Sequence, residues 1–397
     1  MGFVKKITRK SYCLYKKCRD VAYRRFSCQY GFPTLKRYIP RGFKTAIHVS
    51  AFTYGNVGDA LLPVVLRDLF NNQIGIRRWI HKQTSKVVDD NDIIQYNKQD
   101  FMVIGGGGLF LKDTNPNDLS GWQWSCSIDK LSAIKVPIIM FAVGYNRFRG
   151  QDDFEPVFTE HINAFVKQAV FVGLRNHGSI EKLKNYLKTD DLKEKLVFQP
   201  CMTTLVSKVY PNYVDYSDKE DFIAFNCAFD RQGMRSLGEN RLDDIAKVAL
   251  ELSKITTIKY YSHMPSDNQI LPYFDKYSVP YELVEMKTVE SIVRNYSKPQ
   301  LVIGMRGHAQ MIPFGCHTPI LSIVSHDKMQ WFLDDIHHPE WGVDVLSDDF
   351  GSCLLTKALD FYENYHKRMD EIIIEQDNLW RITIKNLKRI KSLINSY

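Results

Sequence analysis

Arg306, Gly307 and His308 stand where a short apolar run, residues 301–304, empties into a helical pattern, and that placement suits the binding of an anion. A strand that ends in a glycine turn aims the unpaired N–H groups of the next helix at one point. A guanidinium beside them adds a two-pronged donor matched to phosphate or carboxylate. His308 adds a group able to move a proton near neutral pH. The plainer reading has Arg306 capping a neighbouring element and His308 as an ordinary first-turn residue.

Four further strand ends share this design. Residues 46–52 read as a strand, followed by Thr53-Tyr54-Gly55-Asn56-Val57-Gly58-Asp59 and a helical pattern over 60–70. That loop is neither a P-loop, which needs a Lys-Ser/Thr pair, nor the three-glycine dinucleotide fingerprint. Asp59 is either the cap of its helix or a catalytic carboxylate. Residues 101–104 predict a strand running into Gly105-Gly106-Gly107-Gly108. Four consecutive glycines sacrifice chain entropy for a backbone that a ligand or a packed element can approach closely. Residues 136–144 predict a buried strand followed by Tyr145-Asn146-Arg147, and residues 170–174 another that ends at Arg175.

The elements that must hold these turns follow from length and patterning. A chain of 397 residues with 44% hydrophobic content is enough for two cores. Continuous apolar strands alternating with helical stretches imply parallel sheets covered on both faces. One set of strands lies between about residues 44 and 202 and a second between about 221 and 324, separated by the polar stretch 210–218. The expected α/β architecture is therefore two Rossmann-like domains facing a cleft, over 45–209 (acceptor side) and 219–345 (donor side), with a basic arm over 1–44 and helices over 346–397. Ligands of such domains bind at the carboxyl ends of the strands, where all five turns point.

Charge is uneven along the chain. Residues 1–44 hold thirteen Lys and Arg against one acid, Asp20, a surplus of +12 within a total of +8. Tyr12, Leu14, Tyr15, Val21, Tyr23 and Phe26 interleave with those cations, which suits an amphipathic segment on an anionic membrane surface. A solvated tail and a nucleic-acid contact are the competing readings, the latter disfavoured because no recognised nucleic-acid module accompanies the arm. No run approaches the ~18–20 apolar residues that cross a bilayer, and no secretory core opens the sequence, so a cytoplasmic protein, peripheral at most on the inner membrane face, is expected. Lys6 stands where a myristoylation motif wants Ser or Thr. The eight cysteines are scattered as in a reducing compartment, and Cys13, Cys18 and Cys28 fit no standard zinc spacing. His326, Asp327, Asp334, Asp335, His337 and His338 read as a polar loop rather than a metal site.

Taken together, Gly55-Asn56-Val57-Gly58-Asp59, the four glycines 105–108, Val143-Gly144, Leu174-Arg175-Asn176-His177-Gly178-Ser179, and Met305-Arg306-Gly307-His308 followed by Gly315 and Thr318-Pro319 resemble the polysaccharide pyruvyl transferase family over about residues 45–345. The resemblance implies a GT-B-like pair of domains, phosphoenolpyruvate as donor and co-substrate, a sugar of a cell-surface glycan as acceptor, and a pyruvyl ketal as product. It also implies that Arg306 and His308 match the donor-binding Arg-x-His element, that Arg175 matches a second anion-binding arginine, and that Asp59 matches the acidic end of the first glycine loop. Where the family often shows Tyr-x-x-Lys, this chain has Ser325-His326-Asp327-Lys328, so only Lys328 carries over.

Phosphoenolpyruvate carries a phosphate and a carboxylate on one small skeleton, so it needs two cationic or N–H-rich sites. Arg175, Arg306, Gly307, the helix start at His308 and Lys328 are the candidates. His308 is assigned as acid or phosphate ligand and Asp59 as base on the acceptor hydroxyl. Guanidinium groups can neutralise the phosphate, so neither a metal nor a cofactor is expected. Asn56, Gly58, Gly106, Gly107, Gly108, Trp122, Tyr145 and Asn146, with Trp124 beside them, are the candidate acceptor-binding residues; buried packing is the alternative for both tryptophans. A lipid-linked saccharide acceptor would give the basic arm a purpose. A nucleotide-sugar glycosyltransferase and a non-catalytic glycan-assembly protein share this scaffold and remain the alternatives. The helical pattern over 359–393, with Arg381, Lys385, Lys388 and Arg389 on a basic face, either packs back across the domains or pairs two copies of the chain in a homo-oligomer.

Overall fold

The computed structural model describes residues 44–52, 55–214, 219–286 and 288–397. The arm up to residue 43, with Lys6, Cys13, Cys18 and Cys28, lies outside the described residues, as do 53–54 and 215–218.

The apolar runs form two six-stranded sheets. The first contains β1 (Lys44–Ser50), β2 (Ile76–Gln83), β3 (Phe101–Phe110), β4 (Ile138–Tyr145), β5 (Phe171–Leu174) and β6 (Leu196–Phe198), in the order β2-β1-β3-β4-β5-β6. The second contains β7 (Glu220–Asn226), β8 (Thr257–Ser262), β9 (Tyr281–Glu285), β10 (Pro299–Gly304), β11 (Ile320–Val324) and β12 (Gly342–Asp344), in the order β12-β11-β10-β7-β8-β9. Every pairing is parallel. Strand order reverses between β1 and β3 and between β7 and β10, which opens a crevice at the carboxyl end of each sheet.

Two local expectations change. The glycines 105–108 lie inside β3 rather than beyond it. Gly105 has a φ of 143°, and a Cβ there would sit 2.1 Å from the Phe141 carbonyl oxygen, so the start of the run serves close packing on β4. The helix Val57–Gln73 begins three residues earlier than its apolar pattern, because the Asn56 side chain accepts from the Gly58 N–H and caps it. Asp59 is thereby released from capping.

The carboxyl-terminal pattern resolves into the helices Phe350–Glu363 and Tyr365–Ser396. The second packs back across both sheets. Buried Gln376 donates to the carbonyls of Thr204 and Gly315 while its own carbonyl takes bonds from Ser207 and His317, and Asn386 donates to the Phe198 carbonyl. Among the described residues no helix is long and apolar enough to cross a membrane.

Trp122 and Trp124 are core rather than sugar platforms. Both are fully buried, set edge-on to each other and to Phe165, and the Trp122 indole N–H donates to His161 Nδ1 at 3.0 Å. Their rings are out of reach of any saccharide. Removing such a ring leaves a cavity, so Trp122→Ala is expected to lower unfolding free energy by about 3–5 kcal/mol, read from the urea midpoint. A saccharide-binding defect without loss of stability would contradict the core role.

Candidate active site

A cavity of about 310 Å³ lies where the carboxyl ends of the two sheets meet. The first domain contributes Asn56 and Asp59 after β1, Gly107 and Gly108 from β3, Asn146 after β4 and Arg175 after β5. The second contributes Asp230, Arg231 and Arg235 after β7, His263 after β8, Arg306, Gly307 and His308 after β10, and Lys328 after β11. The cationic turns at Arg175, Arg306 and Lys328 thus converge on one space.

Their surroundings set them apart. Arg306 is fully engaged: Nε donates to Asp267 Oδ2 at 2.8 Å, Nη2 to Asp267 Oδ1, and Nη1 lies 2.9 Å from Asp230 Oδ1. It is therefore not the free cation expected of it. Arg231 makes a two-pronged contact to Asp113 across the domains, with both distances 2.7 Å, and Arg235 is tied to Asp230 at 3.0 Å. Arg175 is 7% exposed, yet its Nε and Nη2 have no hydrogen-bond partner. Its guanidinium lies across Gly144, where a Cβ would come within 2.0 Å of Nε. The Lys328 ammonium donates to Asn146 Oδ1 and so bridges the domains.

Protonation favours the phosphate-ligand alternative for His308 and adds proton donation to the role expected of Asp59. Burial, with the positive fields of Arg175, Lys328 and Arg306, pushes the His308 imidazole down to about 3. A ring neutral near pH 7 offers one N–H to a phosphate, the ligand role expected of it. Burial raises the Asp59 carboxyl to about 7 against the opposing pull of Arg306, Lys328 and Arg175, so Asp59 is the group poised to exchange a proton near neutrality. Burial, then Arg175 and Arg235, holds the Lys328 ammonium well below the usual lysine range.

Other sequence candidates sit elsewhere. Gly58 lies under His308: a Cβ there would meet the ring Nδ1 at 1.9 Å, so it seats the imidazole and does not line the cavity. Gly106 packs beside Leu62 and Met202. Tyr145 is buried, its hydroxyl bonded to that of Tyr186 at 3.0 Å, and it faces away from the cavity. Asn146 does face it, but its side-chain oxygen is occupied by Lys328. The acidic and imidazole run 326–338 is dispersed: Asp327 pairs with Arg149 at 2.6 Å, Asp335 with His177 at 2.7 Å and His337 with Glu375 at 2.9 Å. Asp230, Arg231, Arg235, His263 and Asp267 escaped the sequence reading. The first three follow the apolar strand 222–225 within the stretch Phe229-Asp230-Arg231-Gln232-Gly233-Met234-Arg235, and charge placed just after a buried strand was the signal available.

Over residues 56–327 the chain matches the family model described as polysaccharide pyruvyl transferase. No curated protein matches it. Among solved structures, the S. aureus MnaA–UDP co-structure is 14% identical, spans 83% of this chain and 91% of its own, and superposes with a TM-score of 0.51. Anabaena HepE in complex with UDP and glucose is 9% identical, spans 89% of this chain and 100% of its own, with a TM-score of 0.52. These likenesses show a shared two-domain, GT-B-like fold.

The displaced Asp59 titration links the cavity to stability. Since the folded carboxyl titrates near 7 and the ordinary group near 3.8, folding favours the protonated form. Stability is therefore lost as pH climbs from about 4 through about 7. Asp59→Asn cannot ionise, so it is expected to melt above the wild type at pH about 8 and level with it at pH about 4. Equal melting at both would show that the carboxyl is not displaced.

Proposed function

The chain belongs to the polysaccharide pyruvyl transferase family, and on that premise we propose that it moves a pyruvyl group from phosphoenolpyruvate to a sugar of a cell-surface polysaccharide or exopolysaccharide, leaving it as a ketal. The observation that carries the donor assignment is the Arg175 guanidinium, buried in the cavity with two nitrogens unpartnered, beside Lys328 and the neutral His308. A small metabolite with two anionic groups answers that arrangement. One group takes the Arg175 fork, and the other takes Lys328 and the N–H donors at Gly307 and His308. Arg306, locked by two carboxylates, contributes field and shape.

Transfer begins with a proton to C3 of the enol, which leaves C2 electron-poor. Protonated Asp59 supplies that proton and, as the resulting carboxylate, takes one back from the attacking sugar hydroxyl, so the carboxyl ends as it began. A second hydroxyl then attacks C2, the C2–O bond to phosphate breaks, and phosphate leaves with the second hydroxyl proton as its net gain. Arg175 and Lys328 stabilise the charge that develops on the leaving oxygen. The reaction so written draws on side chains alone, with no cofactor.

Incubation with phosphoenolpyruvate and a panel of free or lipid-linked saccharides is expected to release inorganic phosphate and to add the mass of pyruvate less water to one acceptor. Binding of a uridine or cytidine nucleotide with sugar transfer, or saccharide binding with no turnover, would replace this reading. Arg175→Met is expected to raise KM for phosphoenolpyruvate by about 10- to 100-fold, as loss of a charge-assisted contact implies. Because the active form of Asp59 is the protonated one, kcat/KM should fall about tenfold per pH unit above about 7. Asp59→Asn should lose that limb and about 10²–10⁴-fold in kcat.

A further inference from the structure

Since all pairings of the first sheet are parallel, the chain enters its six strands along one edge, opposite the cavity. That edge is basic. Arg77 and Arg78, in the opening of β2, are exposed, and Lys98, Lys135 and Lys167 stand exposed a few residues before β3, β4 and β5. Among the described residues no carboxylate pairs with Lys98, Lys135 or Lys167. The entry edge of the second sheet neutralises its lysines instead: Lys298 pairs with Glu220 at 2.7 Å and Lys276 with Asp243 at 2.8 Å. Asp100, on the basic edge, is taken up by the Thr45 amide and hydroxyl.

The last helix brings more charge to the same place. From residue 378 to 397 the chain has five Lys and Arg and no acid. Lys391 donates to the Gln73 carbonyl at 3.2 Å, just ahead of β2, and the Arg389 guanidinium lies 5.9 Å from the ring of Phe171, which opens β5. Lys385 and Lys388 are exposed on that helix. Residues 1–44, with their surplus of +12, join the sheet at the start of β1, where Thr45 pairs with Arg78.

We propose that this edge is a docking surface for an anionic lipid bilayer. Among the described residues the exposed cations are spread across four strand entries and one helix end, a broad face suited to a plane of headgroups. The sequence that joins it interleaves Lys and Arg with Tyr12, Leu14, Tyr15, Val21 and Phe26, a composition for the boundary between headgroups and acyl chains. Each Lys or Arg near such a surface contributes about 1 kcal/mol, roughly fivefold in partitioning.

Flotation of the full chain tests this, with vesicles of phosphatidylcholine alone or mixed with phosphatidylglycerol. The chain should float with the mixed vesicles, stay down with the neutral ones and release as salt rises. The combined variant Lys98→Glu, Lys135→Glu and Lys388→Glu should lose about two orders of magnitude in partitioning while keeping its melting temperature. Should that variant fail to fold, Lys→Gln at the same positions is expected to cost about a hundredfold, three cations at roughly fivefold each. Equal flotation on neutral vesicles, or a variant that floats like the wild type, overturns the proposal. So does a nucleic-acid duplex that binds through these same lysines while vesicles do not.

Discussion

Arg175 brings a charge it cannot shed into a space where no hydrogen-bond acceptor of the protein meets its Nε or Nη2. A buried cation left so costs several kcal/mol, and the surrounding structure is arranged to bear that cost. The other guanidiniums of the cavity are cancelled one by one: Arg306 by Asp267 and Asp230, Arg235 by Asp230, Arg231 by Asp113. Selective pairing leaves Arg175 with donors unmet. Burial, helped by Arg175, Lys328 and Arg306, keeps His308 neutral, and the fields of Arg306, Lys328 and Arg175 oppose the burial that lifts Asp59.

Geometry depends on two bare stretches of backbone. Gly144 gives the Arg175 guanidinium a floor without a side chain, and Gly58 does the same for the His308 ring. The second contact crosses between domains, because Gly58 opens the first helix of one and His308 opens a helix of the other. The ion pairs of Arg149 with Asp327 and Asp344, and the bond from Lys328 to Asn146, fasten the same seam. Electrostatics and domain placement are therefore one problem, since moving a domain would also move the partners that set each charge.

The architecture was legible in the sequence because buried parallel strands are written as continuous apolar runs, and each run such as 138–143 or 320–324 became a strand. The convergence of Arg175, Arg306, His308 and Lys328 was legible for the same reason: residues just after such strands must gather at the carboxyl edge. Pairing was not. Nothing local to Arg306 announces that Asp267, thirty-nine positions away, will neutralise it, nor that Asp113 will reach Arg231. Trp122 and Trp124 follow a glycine-rich strand as a sugar platform would, yet their fate was decided by Phe110, His161 and Phe165, whose rings close over them. Asp59 read as either a cap or a catalytic carboxylate, and Asn56 fills the capping position.

The helix Tyr365–Ser396 runs as a strap over both halves of the molecule, anchored through Gln376 where the halves adjoin and through Asn386 and Lys391 on the first. At 1.5 Å per residue its 32 residues span about 48 Å, a rigid rod across the back of the cleft. A wide jaw-like opening would have to part Gln376 either from Thr204 and Ser207 on the first half or from Gly315 and His317 on the second. The rod thus resists a wide swing of one half away from the other.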